Sequence, residues 1–265
     1  MTTISPPETA APSSSVETVK GVKVEDIGRW SPYMRVIGRP LTRLFWRVEL
    51  DGLENLPESG GAIIAPNHIS FIDSSFLAML LPRPITFVGK AEYLDDWKTR
   101  ALFPALGMIP IDRSGGQAAK DALGAAADVL RAGGLFGIYP EGTRSRTGEL
   151  HKGHTGAARL AIDAGVPIIP TGIIGTAEIQ PPDTPMPRPF RAAKLRFGAP
   201  IDPRRYLDAG ADRLVHRRMI DEVMFEIRQL TGQRYVDRYA TRKAQSVPTA
   251  TATLESRPLA AAAVG

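Results

Sequence analysis

Between two polar, low-complexity ends, the chain alternates short unbroken apolar runs with longer stretches whose apolar positions recur every three or four residues. The runs GAIIAP (61–66), PITFVG (84–89), LFGIY (135–139) and VPIIPTGI (166–173) are too short for helices and predict buried strands. KLRFG (194–198) alternates apolar with polar and predicts a later, more exposed strand. Helical periodicity falls at about 70–81, 116–132, 153–164 and 211–230, with Gly133-Gly134 stopping the second stretch and Gly165 the third. Pro167 and Pro170 inside one run predict an edge strand or a strand end, because proline donates no ladder hydrogen bond. Strands alternating with helices predict an α/β domain with a central mixed, largely parallel sheet flanked by helices. Sites in such sheets lie beyond the carboxyl ends of the strands.

The segment ahead of the first run has a different pattern. From Gly28 to Val48 it carries Arg29, Arg35, Arg39, Arg43 and Arg47 and no acidic residue, interleaved with Trp30, Tyr33, Ile37, Leu41, Leu44, Phe45 and Trp46. Four of these arginines are spaced by four, which on a continuous helix makes one stripe. Pro40 predicts a division into two short helices, with the proline in the first turn of the second. An Arg-rich face opposite aromatic residues suits an amphipathic helix lying in a membrane interface, and equally a surface helix packed on its own domain. Spanning is disfavoured, since each Arg at mid-bilayer costs about 2.5–3.5 kcal/mol.

These patterns divide the chain into a disordered tail at 1–21, an amphipathic segment at 22–50 that precedes the main domain, the domain itself at 51–240, and a second disordered tail at 241–265. The first tail has no apolar core and carries Glu8 and Glu17, so it does not read as a secretory signal. No stretch of about 18 apolar residues predicts a transmembrane helix. Cysteine is absent, which excludes disulfides, thiolate nucleophiles and cysteine zinc sites. The formal charge of +5 favours anionic partners without choosing among phosphates, acidic lipids and nucleic acid.

Three polar clusters follow apolar runs, where the sheet rule puts a site. In Asn67-His68-Ile69-Ser70-Phe71-Ile72-Asp73, the Ser70-x-x-Asp73 pair matches a helix capping box. It also offers a His68–Asp73 dyad, in which the carboxylate fixes the imidazole tautomer and the free nitrogen takes a proton from a hydroxyl. One helix turn can do both. No G-x-S-x-G nucleophile elbow occurs, which points to transfer directly onto a substrate alcohol from an activated donor. The second cluster, GMIPIDR (107–113), reads as a turn with a surface Arg113, or as a phosphate anchor beside a helix start. The third, YPEGTRS (139–145), reads as a polar turn, or as a phosphate site. In the second reading Gly142 shapes the turn, Thr143 and Arg144 donate, and Glu141 orients Arg144 or holds a substrate hydroxyl.

Together with VPIIPTGI, these clusters resemble, in order and spacing, the glycerolipid acyltransferase family typified by 1-acyl-sn-glycerol-3-phosphate acyltransferases. NHISFID matches the family's N-H-x-S-x-x-D motif. GMIPIDR and YPEGTRS are similar to its second and third motifs, with Pro110 where an aromatic is common and Tyr139 in place of Phe. The resemblance covers roughly residues 40–200. It implies His68 as base and Asp73 as its partner. It also implies Arg113, Glu141, Gly142, Thr143 and Arg144 as the acceptor-binding site. The implied donor is acyl-CoA or acyl-carrier protein as co-substrate, without a further cofactor, and the implied acceptor is a membrane lipid, lysophosphatidic acid. On this reading the enzyme sits peripherally on the cytoplasmic face of the cell membrane, against an anionic bilayer surface. Backbone amides near 142–145 are the candidate oxyanion donors. No metal is implied, because one His–Asp pair lacks a third ligand. Another lysolipid or glycolipid acceptor, or a non-catalytic phospholipid-binding module, are the rival readings; a nucleic-acid partner is not expected.

Overall fold

The computed structural model describes residues 31–90, 107–111, 116–182, 184, 186–209 and 213–241. Arg29, Trp30, Arg113 and both expected tails lie outside the described residues. Seven strands form one sheet: β1 (Trp46–Asp51), β2 (Ala62–Pro66), β3 (Ile85–Lys90), β4 (Met108–Ile111), β5 (Leu135–Gly137), β7 (Ile168–Ile174) and β8 (Arg191–Phe197). Their order across the sheet is β1-β8-β7-β2-β5-β3-β4. Every pairing is parallel except β7 with β8. A separate parallel pair joins β6 (Leu150–His151) to β9 (Tyr235–Val236). The helices are α1 (Ser31–Phe45), α2 (Ile72–Leu80), α3 (Gly116–Arg131), α4 (Gly156–Ala164), the short α5 (Thr176–Ile179) and α6 (Arg213–Thr231).

The unbroken apolar runs are explained by helices on both faces. In β2, Ile63 and Ala65 join a core with α3, α4 and α6, while Ala62 and Ile64 join a second core with α2 on the opposite face. Each strand there must be apolar at every position. At the β1 side the rule changes. β1 alternates half-buried Trp46, Val48 and Leu50 with exposed Arg47, Glu49 and Asp51, because only one of its faces meets the core. Its polar face carries cross-strand ion pairs from Lys194 to Glu49 and Asp51.

Three expectations need correction. VPIIPTGI is not at an edge: β7 lies inside the sheet between β2 and β8. Pro170 is tolerated there because β8 has already ended at Phe197, and the proline contributes only its carbonyl, which accepts the Gly198 N–H at 2.8 Å. β8 is likewise interior, with Ala193, Leu195 and Phe197 buried, because β1 covers the edge that KLRFG was expected to expose. Pro40 does not divide α1, which is one helix. Pro40 is exposed, so the Val36 carbonyl it leaves without an intrahelical donor can turn to water.

The four arginines expected to form one stripe on this segment are divided among different partners. Arg47 belongs to β1. Arg35 donates to the carbonyl of Pro82 at 2.8 Å, and Arg39 to those of Leu80 and Leu81 at 3.1 and 3.0 Å. The two guanidiniums thus cap the carboxyl end of α2, where unpaired carbonyls and the helix dipole favour cations. Gly38 lets the helices approach, since a Cβ there would meet the Met79 side chain at 2.8 Å. The other side of α1 is apolar and open: Tyr33, Val36, Ile37 and Leu44 are each more than half exposed. Among the described residues no helix is long and apolar enough to cross a membrane.

Candidate active site

The site forms where β2 and β5 end. After Pro66 the chain makes a short loop and enters α2, and the loop is held by Asp73 in the first turn of that helix. Asp73 is fully buried, and its Oδ2 accepts the Ile69 N–H at 2.9 Å and the Ser70 N–H at 2.8 Å. The bond back to Ser70 is the acidic half of a capping box. The serine half is altered: Ser70 Oγ donates to the Gln180 carbonyl at 2.7 Å, tying the loop to the end of α5. The same Asp73 oxygen lies 3.0 Å from His68 Nδ1. A carboxylate only accepts, so the shared proton sits on Nδ1 and Nε2 keeps its lone pair. Nε2 has no protein partner among the described residues, and the side chain keeps 17% of its exposure. The structure therefore brings together the two residues that the capping pattern left ambiguous, and one carboxylate serves both purposes.

The third cluster packs behind this loop and grips the His68 backbone from both ends. Glu141 Oε1 accepts the His68 N–H at 3.0 Å, and the Ser145 N–H donates to the His68 carbonyl at 2.7 Å. The other Glu141 oxygen accepts the His151 N–H at 3.0 Å. Glu141 is 1% exposed, and burial pushes its carboxyl up to about 7. The two amide donors oppose that rise, and the charge of Asp73 adds to it. Gly142 closes the turn at φ 72°, and a Cβ there would press on the His154 ring at 3.1 Å. The Tyr139 ring stacks on His68 with centroids 3.8 Å apart, and its hydroxyl pairs with Ser74 Oγ at 2.6 Å. Burial, with the Asp73 charge added, holds the phenol well above its ordinary range, so it stays neutral.

On the open side lies Arg144, half-buried and without a hydrogen bond or ion pair among the described residues. A guanidinium held in this state is available to an anionic ligand. Thr143 is half-buried beside it. Of the amides in this turn, Gly142 N–H is taken by the Tyr139 carbonyl at 3.0 Å and Ser145 N–H by His68. The Thr143 and Arg144 amides remain for an oxyanion. The second cluster contributes β4 as far as Ile111, beside β3 at the sheet edge, and its Arg113 is not among the described residues. No three His, Asp or Glu side chains among the described residues stand close enough to hold a metal ion.

The family model described as "Acyltransferase" matches residues 47–174, a span that contains His68, Asp73, Tyr139, Glu141 and Arg144. Over that span the chain is similar to the acyltransferase family. The chloroplastic 1-acyl-sn-glycerol-3-phosphate acyltransferase of Arabidopsis thaliana is 30% identical over 138 residues, 52% of this chain and 38% of that protein. The 1-acyl-sn-glycerol-3-phosphate acyltransferase of Pseudomonas aeruginosa is 36% identical over 129 residues, 47% of this chain and 48% of that protein. The aligned part thus spans about half or less of the length of these relatives. The crystal structure of the 1-acyl-sn-glycerophosphate acyltransferase PlsC from Thermotoga maritima shares the fold, with a TM-score of 0.59 at 23% identity. The match covers 76% of this chain and 79% of that one.

Two contributors to this site carry no sequence signal for their role. Asn67 is fully buried. Its side-chain amide accepts the Ile173 N–H at 2.7 Å and donates to the Ile173 carbonyl and to Gln233 Oε1, both at 2.9 Å. This pins the 67–73 loop to the end of β7, within the VPIIPTGI run. Tyr139 is the other. It reads as a strand-end aromatic, and only the fold shows that its ring faces His68.

Proposed function

We propose that this domain transfers a fatty acyl group from a thioester to the free hydroxyl of lysophosphatidic acid, giving phosphatidic acid for phospholipid synthesis. The observation that carries the proposal is the 3.0 Å His68 Nδ1–Asp73 Oδ2 contact, with Nε2 unpartnered on the open side. Nε2 takes the proton of the acceptor hydroxyl as its oxygen forms a bond to the thioester carbonyl carbon. Asp73 stabilises the imidazolium. The negative oxygen of the tetrahedral intermediate meets the Thr143 and Arg144 amides. The carbon–sulfur bond then breaks, and the departing thiolate receives the proton from His68. Arg144, with Arg113, holds the acceptor phosphate. The names of the relatives support this acceptor; acyl-CoA and acyl-carrier protein both fit as donors, and the chemistry needs no further cofactor.

The protein acts as a peripheral enzyme at the cytoplasmic face of the cell membrane, where its water-soluble donors meet its lipid acceptor. The apolar outer face of α1 docks on the bilayer. Tyr33, Val36, Ile37 and Leu44 are 59–75% exposed there, and a contiguous apolar face of this kind marks a binding surface. The expected apolar side chains face outward, whereas Arg35 and Arg39 are taken up by the carbonyls at the end of α2.

Purified protein incubated with labelled acyl-CoA and a panel of lysolipids tests the activity. Phosphatidic acid forms only with lysophosphatidic acid if the proposal holds. Another acylated product moves the acceptor, and no product from folded protein that still binds the lipid leaves a binding module. Arg144→Lys raises the acceptor KM about 3–30-fold and leaves the donor KM unchanged, since a point charge replaces a two-pronged donor.

A further inference from the structure

We infer that the segment from Met186 to Arg191 is a second membrane contact, which together with α1 sets the mouth of the site against an anionic bilayer. The inference rests on the peripheral-membrane reading above and adds to it an element distant in sequence. Phe190 is 79% exposed and Met186 75%, as open as any apolar side chain of α1. Phe190 also has φ 60°, and among the described residues it is the one non-glycine residue with positive φ. An aromatic residue rarely adopts that backbone conformation. Here it is maintained with the ring left in water, and strain of this kind concentrates where a side chain must be presented to something.

The loop is strapped to the helix it would assist. The Phe190 N–H donates to the Phe45 carbonyl at 2.6 Å, and Trp46 Nε1 donates to the Arg188 carbonyl at 2.7 Å. Trp46 is therefore not a free membrane anchor, as its sequence context suggested. Its ring packs edge-on against Phe76 at 5.8 Å and serves as the strut between helix, loop and core. Around the apolar groups stand Arg43, Arg47, Arg188 and Arg191, all exposed, so the surface is an apolar centre with a basic rim. That combination matches an anionic lipid surface, which takes up aromatic and aliphatic groups while its headgroups attract guanidiniums.

Topology places this surface at the correct end of the sheet. β8 runs antiparallel to β7, and Phe197 lies level with Thr171, which lies level with Pro66 just before His68. The β8 chain reaches that level from Arg191, and its parallel partner β1 starts at Trp46 opposite Arg191. The tip of the β1–β8 ribbon, six residues from Phe197, therefore projects roughly 20 Å beyond the end of β2, on the same side as the 67–73 loop, at about 3.3 Å per residue. A bilayer resting on Phe190 and the carboxyl end of α1 meets the end of the sheet at which His68 stands.

The full chain with Met186→Ser and Phe190→Asn tests the inference, asparagine being suited to the positive φ. Partition onto mixed phosphatidylcholine–phosphatidylglycerol vesicles falls roughly tenfold, while turnover of a short-chain soluble acceptor is unchanged. The chain has no cysteine, so Met186→Cys gives one thiol for an environment-sensitive fluorophore. Its emission shifts to the blue on vesicles, while the same label at Asp128→Cys, on α3 across the sheet, does not shift. Unchanged partition of the double variant, or an unshifted label at 186, overturns the second contact. Ile37→Ser with Leu44→Ser separates the two readings. If these α1 changes weaken partition and the loop changes do not, only the present inference fails; if neither does, membrane docking by this surface fails as well.

Discussion

The catalytic loop, 67–73, and the helix α1 both looked ambiguous in sequence, and the fold resolved them in opposite directions. In the loop almost every polar group has an internal partner: Asp73 Oδ2 collects two amides and the imidazole, Glu141 and Ser145 hold the His68 backbone, and Asn67 grips Ile173. In α1 Arg35 and Arg39 turn inward to α2, and Tyr33, Val36, Ile37 and Leu44 are left open. Catalysis needs a geometry fixed before substrate arrives, and buried, satisfied hydrogen bonds supply it. Docking on a fluid surface needs only exposed apolar area and charge, which tolerate imprecision.

The largest test of the contrast is the base itself. His68→Ala lowers turnover at least about 10²-fold, the scale of general-base catalysis, with little change in thermal unfolding, because the side chain makes one hydrogen bond and one ring stack, on Tyr139, and lies outside both cores. Normal turnover in the folded variant would remove His68 from the chemistry. Asp73→Asn ranks next: turnover falls about 10–10²-fold and stability by about 1–3 kcal/mol, since an amide cannot accept from the imidazole and both N–H groups at one oxygen as a carboxylate does. Chemical denaturation run beside kinetics separates the two losses. A slow variant of full stability would mean that Asp73 does not support the loop.

Glu141→Gln probes the support from behind. An amide offers one acceptor where two amide donors point, so one of the His68 and His151 bonds is lost and turnover falls a few-fold. The pH dependence gives a sharper readout. The folded carboxyl titrates at about 7 against 4.5 ordinarily, so across that window the native state keeps a proton that the unfolded state has released. Stability from this group is present below about 4.5 and is lost as pH rises through about 7. Urea midpoints therefore fall between about pH 5 and about pH 7.5 in the wild type, and less steeply in Glu141→Gln. Equal slopes would show that the carboxylate is ionised throughout.

The smallest effect on chemistry belongs to α1. Ile37→Ser with Leu44→Ser leaves turnover of a soluble short-chain acceptor within about two-fold, because exposed side chains away from the loop support nothing in it. A large loss there would show that α1 shapes the site as well as its docking, and would erase the contrast.

Much of this was legible along the chain. The runs at 61–66, 84–89, 135–139 and 166–173 are all strands of the central sheet, within a few residues. They are legible because burial on both faces forces every position apolar. Spacing put His68 and Asp73 on one turn, a local matter that five residues decide. β1 was missed although Trp46-Arg47-Val48-Glu49-Leu50-Asp51 alternates cleanly, because the arginine spacing ahead of it reads as helix up to Val48. The side chains of α1 also form two faces in sequence, but the sequence does not say which one meets the protein. That choice belonged to the bare carbonyls at the end of α2, which accept from Arg35 and Arg39.

Sequence alone therefore determined the fold class, the acyltransferase motifs and the local dyad, since each depends on residues close together or on a periodicity that burial imposes. Tertiary structure alone decided that Pro170 sits in an interior strand, that Glu141 lies behind His68 with both oxygens occupied, and that Tyr139 faces the imidazole. It also decided that Phe190 reaches Phe45 across the chain. Each of these is set by partners far along the chain. A side chain's donors, its burial and the neighbour it faces exist only once those partners have been brought together.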